Sequence, residues 1–128
     1  MDEGANRKKR VLVVDDEPRI GKILSIKLRL YGYEVITTTS GAEAIELVRK
    51  QEPDIVLLDM LLPDVAGLEV LGRVRAFSQV PIIVFTAKPD IIQSAMKVGA
   101  NDSITKPFDP DQVVKKIGMI LDSSNQKQ

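Results

Sequence analysis

Three stretches of the chain, at residues 11–14, 55–58 and 82–85, are apolar at every position: VLVV, IVLL and IIVF. A strand with one wet face alternates apolar and polar residues, so an unbroken run belongs to a strand covered on both faces. That is the condition of a parallel sheet packed between helices. Residues 34–38 and, more weakly, 103–105 complete a set of five runs, most of them rich in Val, Ile or Thr.

Helical stripes separate the runs. Ile20, Ile23, Leu24 and Leu28 recur at helical spacing after the first. Ala44, Ile45 and Val48 follow the second, and Val70, Leu71 and Val74 the third. Ile91, Ile92, Ala95 and Val98 follow the fourth, within 89–98, and Val113, Ile117, Ile120 and Leu121 follow the fifth. Ser40 precedes the second stripe as an N-cap, and Asp109 followed by Pro110 opens the last. Gly32 and Gly99 stand where helix C-caps belong. The order is five βα units, an α/β chain with a doubly wound, five-stranded parallel sheet and helices on both faces. One folded unit accounts for residues 10–122. The polar ends, 1–9 and 123–128, read as flexible segments. Arg7, Lys8, Lys9 and Arg10 read as a solvated flank of the first strand.

Ligands of such sheets bind at the carboxyl ends of the strands. The first strand ends in Asp15-Asp16-Glu17, the third in Asp59, the fourth in Thr86-Ala87 and the fifth in Lys106-Pro107. Parallel strands bring all four to one edge. Converging carboxylates cannot all stay ionised without compensation, and a lysine and a hard divalent cation supply it. The chain has no Cys and no His. That removes structural zinc, Ser-His-Asp chemistry, thiolate nucleophiles and disulfides, and leaves magnesium, with manganese as a substitute, as the fitting metal. An ionised aspartate beside such an ion can attack phosphorus and form an aspartyl phosphate. Lys plus Arg equals Asp plus Glu at 18 each, which argues against a domain that binds nucleic acid directly through a basic face. No apolar run approaches the ~20 residues of a membrane span, so a cytoplasmic protein without membrane contact is expected.

These clusters, VLVVDDE (11–17), DIVLLDMLLPDVAG (54–67), IIVFTA (82–87) and GANDSITKPF (99–108), resemble the receiver domain of two-component response regulators. The resemblance covers about residues 10–122. It implies a flavodoxin-like (βα)5 three-layer sandwich with strand order 2-1-3-4-5. It implies Asp59 as phosphoacceptor, Asp16 as a direct Mg2+ ligand, Asp15 acting mainly through water, and the Leu61 carbonyl as a further metal ligand. Thr86 would be the switch hydroxyl, Lys106 would pair with phosphoryl oxygens, and the Lys106–Pro107 bond would be cis. The implied partners are a sensor histidine kinase or histidine phosphotransfer protein upstream and an unidentified protein downstream. The implied role is a signalling switch that catalyses only its own phosphorylation and dephosphorylation. Leu61 and Lys88 flank the expected path of the attacking water.

The resemblance has departures. Ser103 stands where the family usually has Tyr or Phe, Ala66 where Asp or Ser is common, and the segment 86–99 is about two residues short and contains Pro89. These changes fall mainly on the output side. Two other functions remain in view: a phosphorylation-independent pseudo-receiver that only binds a partner, and an Mg2+-dependent aspartyl-phosphate phosphatase. Phosphatases of the haloacid-dehalogenase type need a second Asp two residues past the nucleophile, where this chain has Leu61. Neither GxxxxGK[ST] nor GxGxxG is present for nucleotide binding. The chain reads either as a stand-alone receiver or as one cut from a longer regulator.

Overall fold

The computed structural model describes residues 7–126, with side chains described through residue 122. Its elements alternate: β1 (Arg10–Val14), α1 (Pro18–Leu30), β2 (Glu34–Thr38), α2 (Gly41–Gln51), β3 (Ile55–Asp59), α3 (Gly67–Arg75), β4 (Ile82–Thr86), α4 (Ile92–Val98), β5 (Asp102–Thr105) and α5 (Pro110–Gln126). All strand pairs are parallel, in the order β2-β1-β3-β4-β5. The fold is the doubly wound sandwich expected. Of the flexible ends expected at 1–9 and 123–128, residues 1–6 and 127–128 lie outside the described residues, and α5 reaches Gln126.

Alternate strand residues face opposite layers, as the two-residue strand period requires. Val11, Val13, Ile55, Leu57, Ile83 and Phe85 pack with Leu24 and Leu28 of α1 and Val113, Ile117 and Leu121 of α5. Leu12, Val14, Val56, Leu58, Ile82 and Val84 pack with α2, α3 and Ala95 of α4. The unbroken apolar runs are therefore buried on both faces, each side chain contributing about 2 kcal/mol by leaving water. Ser40 caps α2 by accepting the Glu43 N–H at 3.0 Å, and Asp109 accepts the Asp111 N–H at 2.9 Å at the start of α5. Gly32 and Gly99 end their helices at φ +90° and +129°, a region that costs residues with a Cβ.

Two helical stripes differ from expectation. Ile23 is 50% exposed, because α1 turns Gly21, Leu24, Ser25 and Leu28 inward. The small pair Gly21 and Ser25 sits against the sheet, where a Cβ on Gly21 would meet Thr37 at 3.4 Å. Val98 is 39% exposed, and Ala95 is the sole fully buried residue of α4. The segment 89–98 is also not one helix. Pro89–Ile91 forms a 3₁₀ turn, with the Ile91 N–H bonded to the Lys88 carbonyl at 3.2 Å, before α4 begins. Among the described residues, no helix is long and apolar enough to cross a membrane.

Candidate functional site

The strand order reverses at β1: β2 lies on one side of it, β3 on the other, and the connecting helices leave on opposite faces. A crevice opens there at the carboxyl ends of β1 and β3. Asp15 follows β1 and Asp59 ends β3, so both acids lie at this crevice. Asp15, Asp16 and Asp59 each place a carboxylate oxygen within 4.8 Å of the others. Asp15 and Asp59 are buried at 2% exposure each, and Asp16 is exposed. The Lys106 Nζ, arriving from the end of β5, lies 2.9 Å from Asp15 Oδ2 and 3.2 Å from Asp59 Oδ2. The same ammonium sits 5.0 Å from the centroid of the Phe85 ring, which meets Phe108 edge-on.

Backbone groups hold the two buried acids. The Glu17 N–H donates to Asp15 Oδ1 at 2.8 Å and the Leu61 N–H donates to Asp59 Oδ1 at 3.0 Å. Burial nevertheless pushes both carboxyls above the ordinary aspartate range, against those N–H groups and the lysine. Burial works against the Lys106 charge too, but the two carboxylates outweigh it and hold the ammonium above the usual lysine range. Two buried acids thus share one cation, with Asp16 exposed beside them, and the site carries excess negative charge. Oxygen donors so disposed, with no softer ligand among them, suit a small hard dication.

Thr86 ends β4, fully buried, one residue past the Asp59–Phe85 register pair. Its hydroxyl accepts the Lys88 N–H at 3.0 Å, a bond that leaves the hydroxyl proton unused. The Lys106 N–H donates to the Thr86 carbonyl at 2.8 Å, which ties β5 to β4 at the site. The Lys106–Pro107 peptide is cis. Leu61 is 45% exposed at the mouth. The structure therefore brings all six expected residues, Asp15, Asp16, Asp59, Leu61, Thr86 and Lys106, to one edge. Ser103, half-buried on β5, sits opposite Val84 of β4.

Sequence reasoning missed what lies beside these residues. Asp64, in the loop after β3, accepts three hydrogen bonds from the start of α2: Ser40 Oγ at 2.8 Å, Gly41 N at 2.9 Å and Ala42 N at 3.1 Å. Those N–H groups hold its carboxyl well below the usual carboxylate range. Thr38 was missed as well. Its carbonyl accepts the Asp15 N–H at 3.1 Å, and its hydroxyl donates to Glu43 while accepting the Ser40 N–H at 3.1 Å. Local patterning carries no signal for such pairs, since Asp64 and Ser40 stand 24 residues apart. Ile23 proves to line a groove of about 460 Å³ with Ile20, Ala87, Phe108 and the Lys106 stem.

A family model described as "Response regulator receiver domain" matches residues 11–118. The chain is 40% identical over 118 residues to a probable transcriptional regulator, ycf27, of Porphyra purpurea, covering 91% of this chain and 49% of that protein. It is 42% identical over 109 residues to the transcriptional regulatory protein KdpE of Mycobacterium tuberculosis, covering 84% and 48%. The chain spans about half the length of the curated relatives it matches. Among solved structures it superposes with TM-score 0.89 on a CheY-like receiver domain protein of Methanospirillum hungatei, 27% identical, covering 95% of this chain and 100% of that one.

Proposed function

The chain belongs to the response regulator receiver domain family of two-component signalling, and we propose that it takes a phosphoryl group onto Asp59 from a phosphohistidine and thereby switches the binding of a downstream partner. The observation that carries this is the buried Asp59, held with Asp15 and Asp16 within 4.8 Å against a single lysine. The donor set fits Mg2+, with Mn2+ as a substitute. Asp16, Asp59 and the Leu61 carbonyl would hold it, and Asp15 would act through water. The metal supplies charge neutralisation at the phosphoryl oxygens.

Asp59 needs no general base, because it attacks as a carboxylate. A bond forms from its oxygen to phosphorus, and the bond from phosphorus to the donor imidazole nitrogen breaks. The electron pair leaves with that nitrogen. Lys106 moves its charge from the carboxylate to a phosphoryl oxygen, which keeps the count of buried charges paired. The unused Thr86 proton is donated to another phosphoryl oxygen. Its hydroxyl then leaves its place near Lys88, and the 3₁₀ turn and α4 are the elements positioned to respond.

The proposed donor is a sensor histidine kinase or a histidine phosphotransfer protein. The groove beside Lys106, with exposed Ile23 on its wall, gives such a donor an apolar footing next to the nucleophile. The proposed setting is the cytoplasm, and the proposed role is a signalling switch rather than an enzyme of steady turnover. Incubation with acetyl phosphate and Mg2+, followed by intact-protein mass, tests the reading. We expect a gain of one phosphoryl mass that vanishes in Asp59→Ala. No gain in the unaltered protein would refute it and leave the pseudo-receiver.

A further inference from the structure

The loop that follows the phosphoacceptor, residues 60–66, is closed at its base and pinned at its tip. At the base, the Gly67 N–H bonds the Met60 carbonyl at 3.2 Å. A Cβ on Gly67 would stand 2.5 Å from Met60 Cα, so the two ends of the loop touch and the closure admits no larger residue. At the tip, Asp64 takes the Ser40 hydroxyl and the Gly41 and Ala42 N–H groups at 2.8–3.1 Å. Next to it, a Cβ on Gly41 would meet Val65 Cβ and the Val65 carbonyl at 3.1 Å each. Contact between the loop and the start of α2 is therefore tight as well as hydrogen-bonded.

Between base and tip lies Leu61, which binds Asp59 Oδ1 through its N–H at 3.0 Å. On its other side the same corner of the fold reaches the second buried acid. Thr38 receives the Asp15 N–H through its carbonyl, and its hydroxyl accepts the Ser40 N–H. The turn from β2 into α2 thus braces both loops that supply the acidic site.

We propose that Asp64 is a positioning residue for the metal and the phosphoacceptor: by clasping the loop to the amino end of α2, it restrains the Leu61 backbone whose carbonyl would help hold the metal. This deepens the receiver reading and rests on it. Asp64 is exposed, and the clasp draws its strength from the three donors that one carboxylate receives at a helix start. Asp64 bonds none of the proposed ligands itself; it acts through the loop, so its effect on metal affinity is expected to be smaller than the tenfold or more typical of a group bonded directly to a ligand.

The test is Mn2+ binding, read from the electron paramagnetic resonance of the free ion, on the unaltered protein and on Asp64→Ala, Asp64→Asn and Ser40→Ala. We expect affinity to fall about fivefold in Asp64→Ala and about twofold in the other two, which keep part of the clasp, less than the loss for a group bonded directly to a ligand. Labelling by acetyl phosphate is expected to drop at limiting Mg2+ and to recover to within about twofold at saturation, a split that a merely structural residue would not produce. Should Asp64→Ala fail to fold, Asp64→Asn and Ser40→Ala decide. If the variants bind Mn2+ like the unaltered protein, even while melting earlier, the positioning role is wrong and the receiver reading stands. If the unaltered protein binds no Mn2+, the metal-dependent phosphoacceptor reading falls, and the positioning role with it.

Discussion

At the amino ends of the strands, Arg75 donates to the Gly99 carbonyl at 3.0 Å, the Ser78 carbonyl at 3.1 Å and Asn101 Oδ1 at 2.9 Å. Asn101 also accepts the Ile82 N–H at 2.8 Å, and Asp54 accepts the Arg10 N–H at 2.7 Å. At the carboxyl ends, one lysine bonds two buried carboxylates, with the exposed Asp16 beside them. Both edges leave no described buried side-chain polar atom without a hydrogen-bond partner. They differ in charge. The amino edge matches side chains to backbone groups and closes the structure. The carboxyl edge satisfies its hydrogen bonds yet leaves negative charge uncompensated. Hydrogen-bond satisfaction alone does not separate a structural polar cluster from a reactive one. The charge left over does.

Removing the lone cation should break that contrast most sharply. Lys106→Met strands two buried carboxylates, and we expect it to lower metal-free stability by about 3 kcal/mol. Urea unfolding in EDTA at neutral pH measures this, and a variant as stable as the parent would show that the acids are balanced elsewhere. Arg75→Ala cuts the amino edge instead. A loss of about 2 kcal/mol is expected from the stranded carbonyls. Phosphorylation by acetyl phosphate should keep its rate, and a slowed rate would mean that the two edges are coupled.

The smallest effect has the opposite sign. Asp59→Asn leaves Asp15 and Lys106 as a balanced pair, so metal-free stability should rise by about 1 kcal/mol at neutral pH. The pH dependence follows from the raised carboxyl pKa values of Asp15 and Asp59. The folded chain keeps protons that the unfolded chain releases near pH 4, so these groups cost stability as pH climbs through their folded values. The advantage of Asp59→Asn should therefore shrink on acidification. Urea midpoints at pH 5 and pH 8 test it, and an advantage that grew toward pH 5 would reverse the assigned shift.

The elements of the fold and the main site residues were legible because both rest on rules of short range. Continuous runs such as VLVV and IVLL identify strands buried on two faces, and a parallel sheet then aligns their ends without further information. What stayed hidden depends on packing. Helical spacing marks Ile20, Ile23, Leu24 and Leu28 as one stripe, yet the sheet selects the neighbouring face, where Gly21 and Ser25 permit close approach. Pro89 permits a helix start, and only the structure shows a 3₁₀ turn first. Asp64 carries no local signal, since its three donors come from the start of α2, and Arg75 finds Asn101 across 26 residues.

The Lys106–Asp15 bond spans 91 positions of the chain, and the Lys106–Asp59 bond spans 47. The lysine and the acids therefore come from well-separated parts of the sequence, and β5 is the strand that delivers the lysine. A ribosome-bound chain still lacking that strand holds the acids with no ammonium to answer them. On the phosphoacceptor reading, the site is complete only once β5 has been made. If the phosphoacceptor reading holds, the same arithmetic makes the domain a natural split reporter: with the chain divided before β5, neither fragment carries the whole site, which is restored only where the two have found each other.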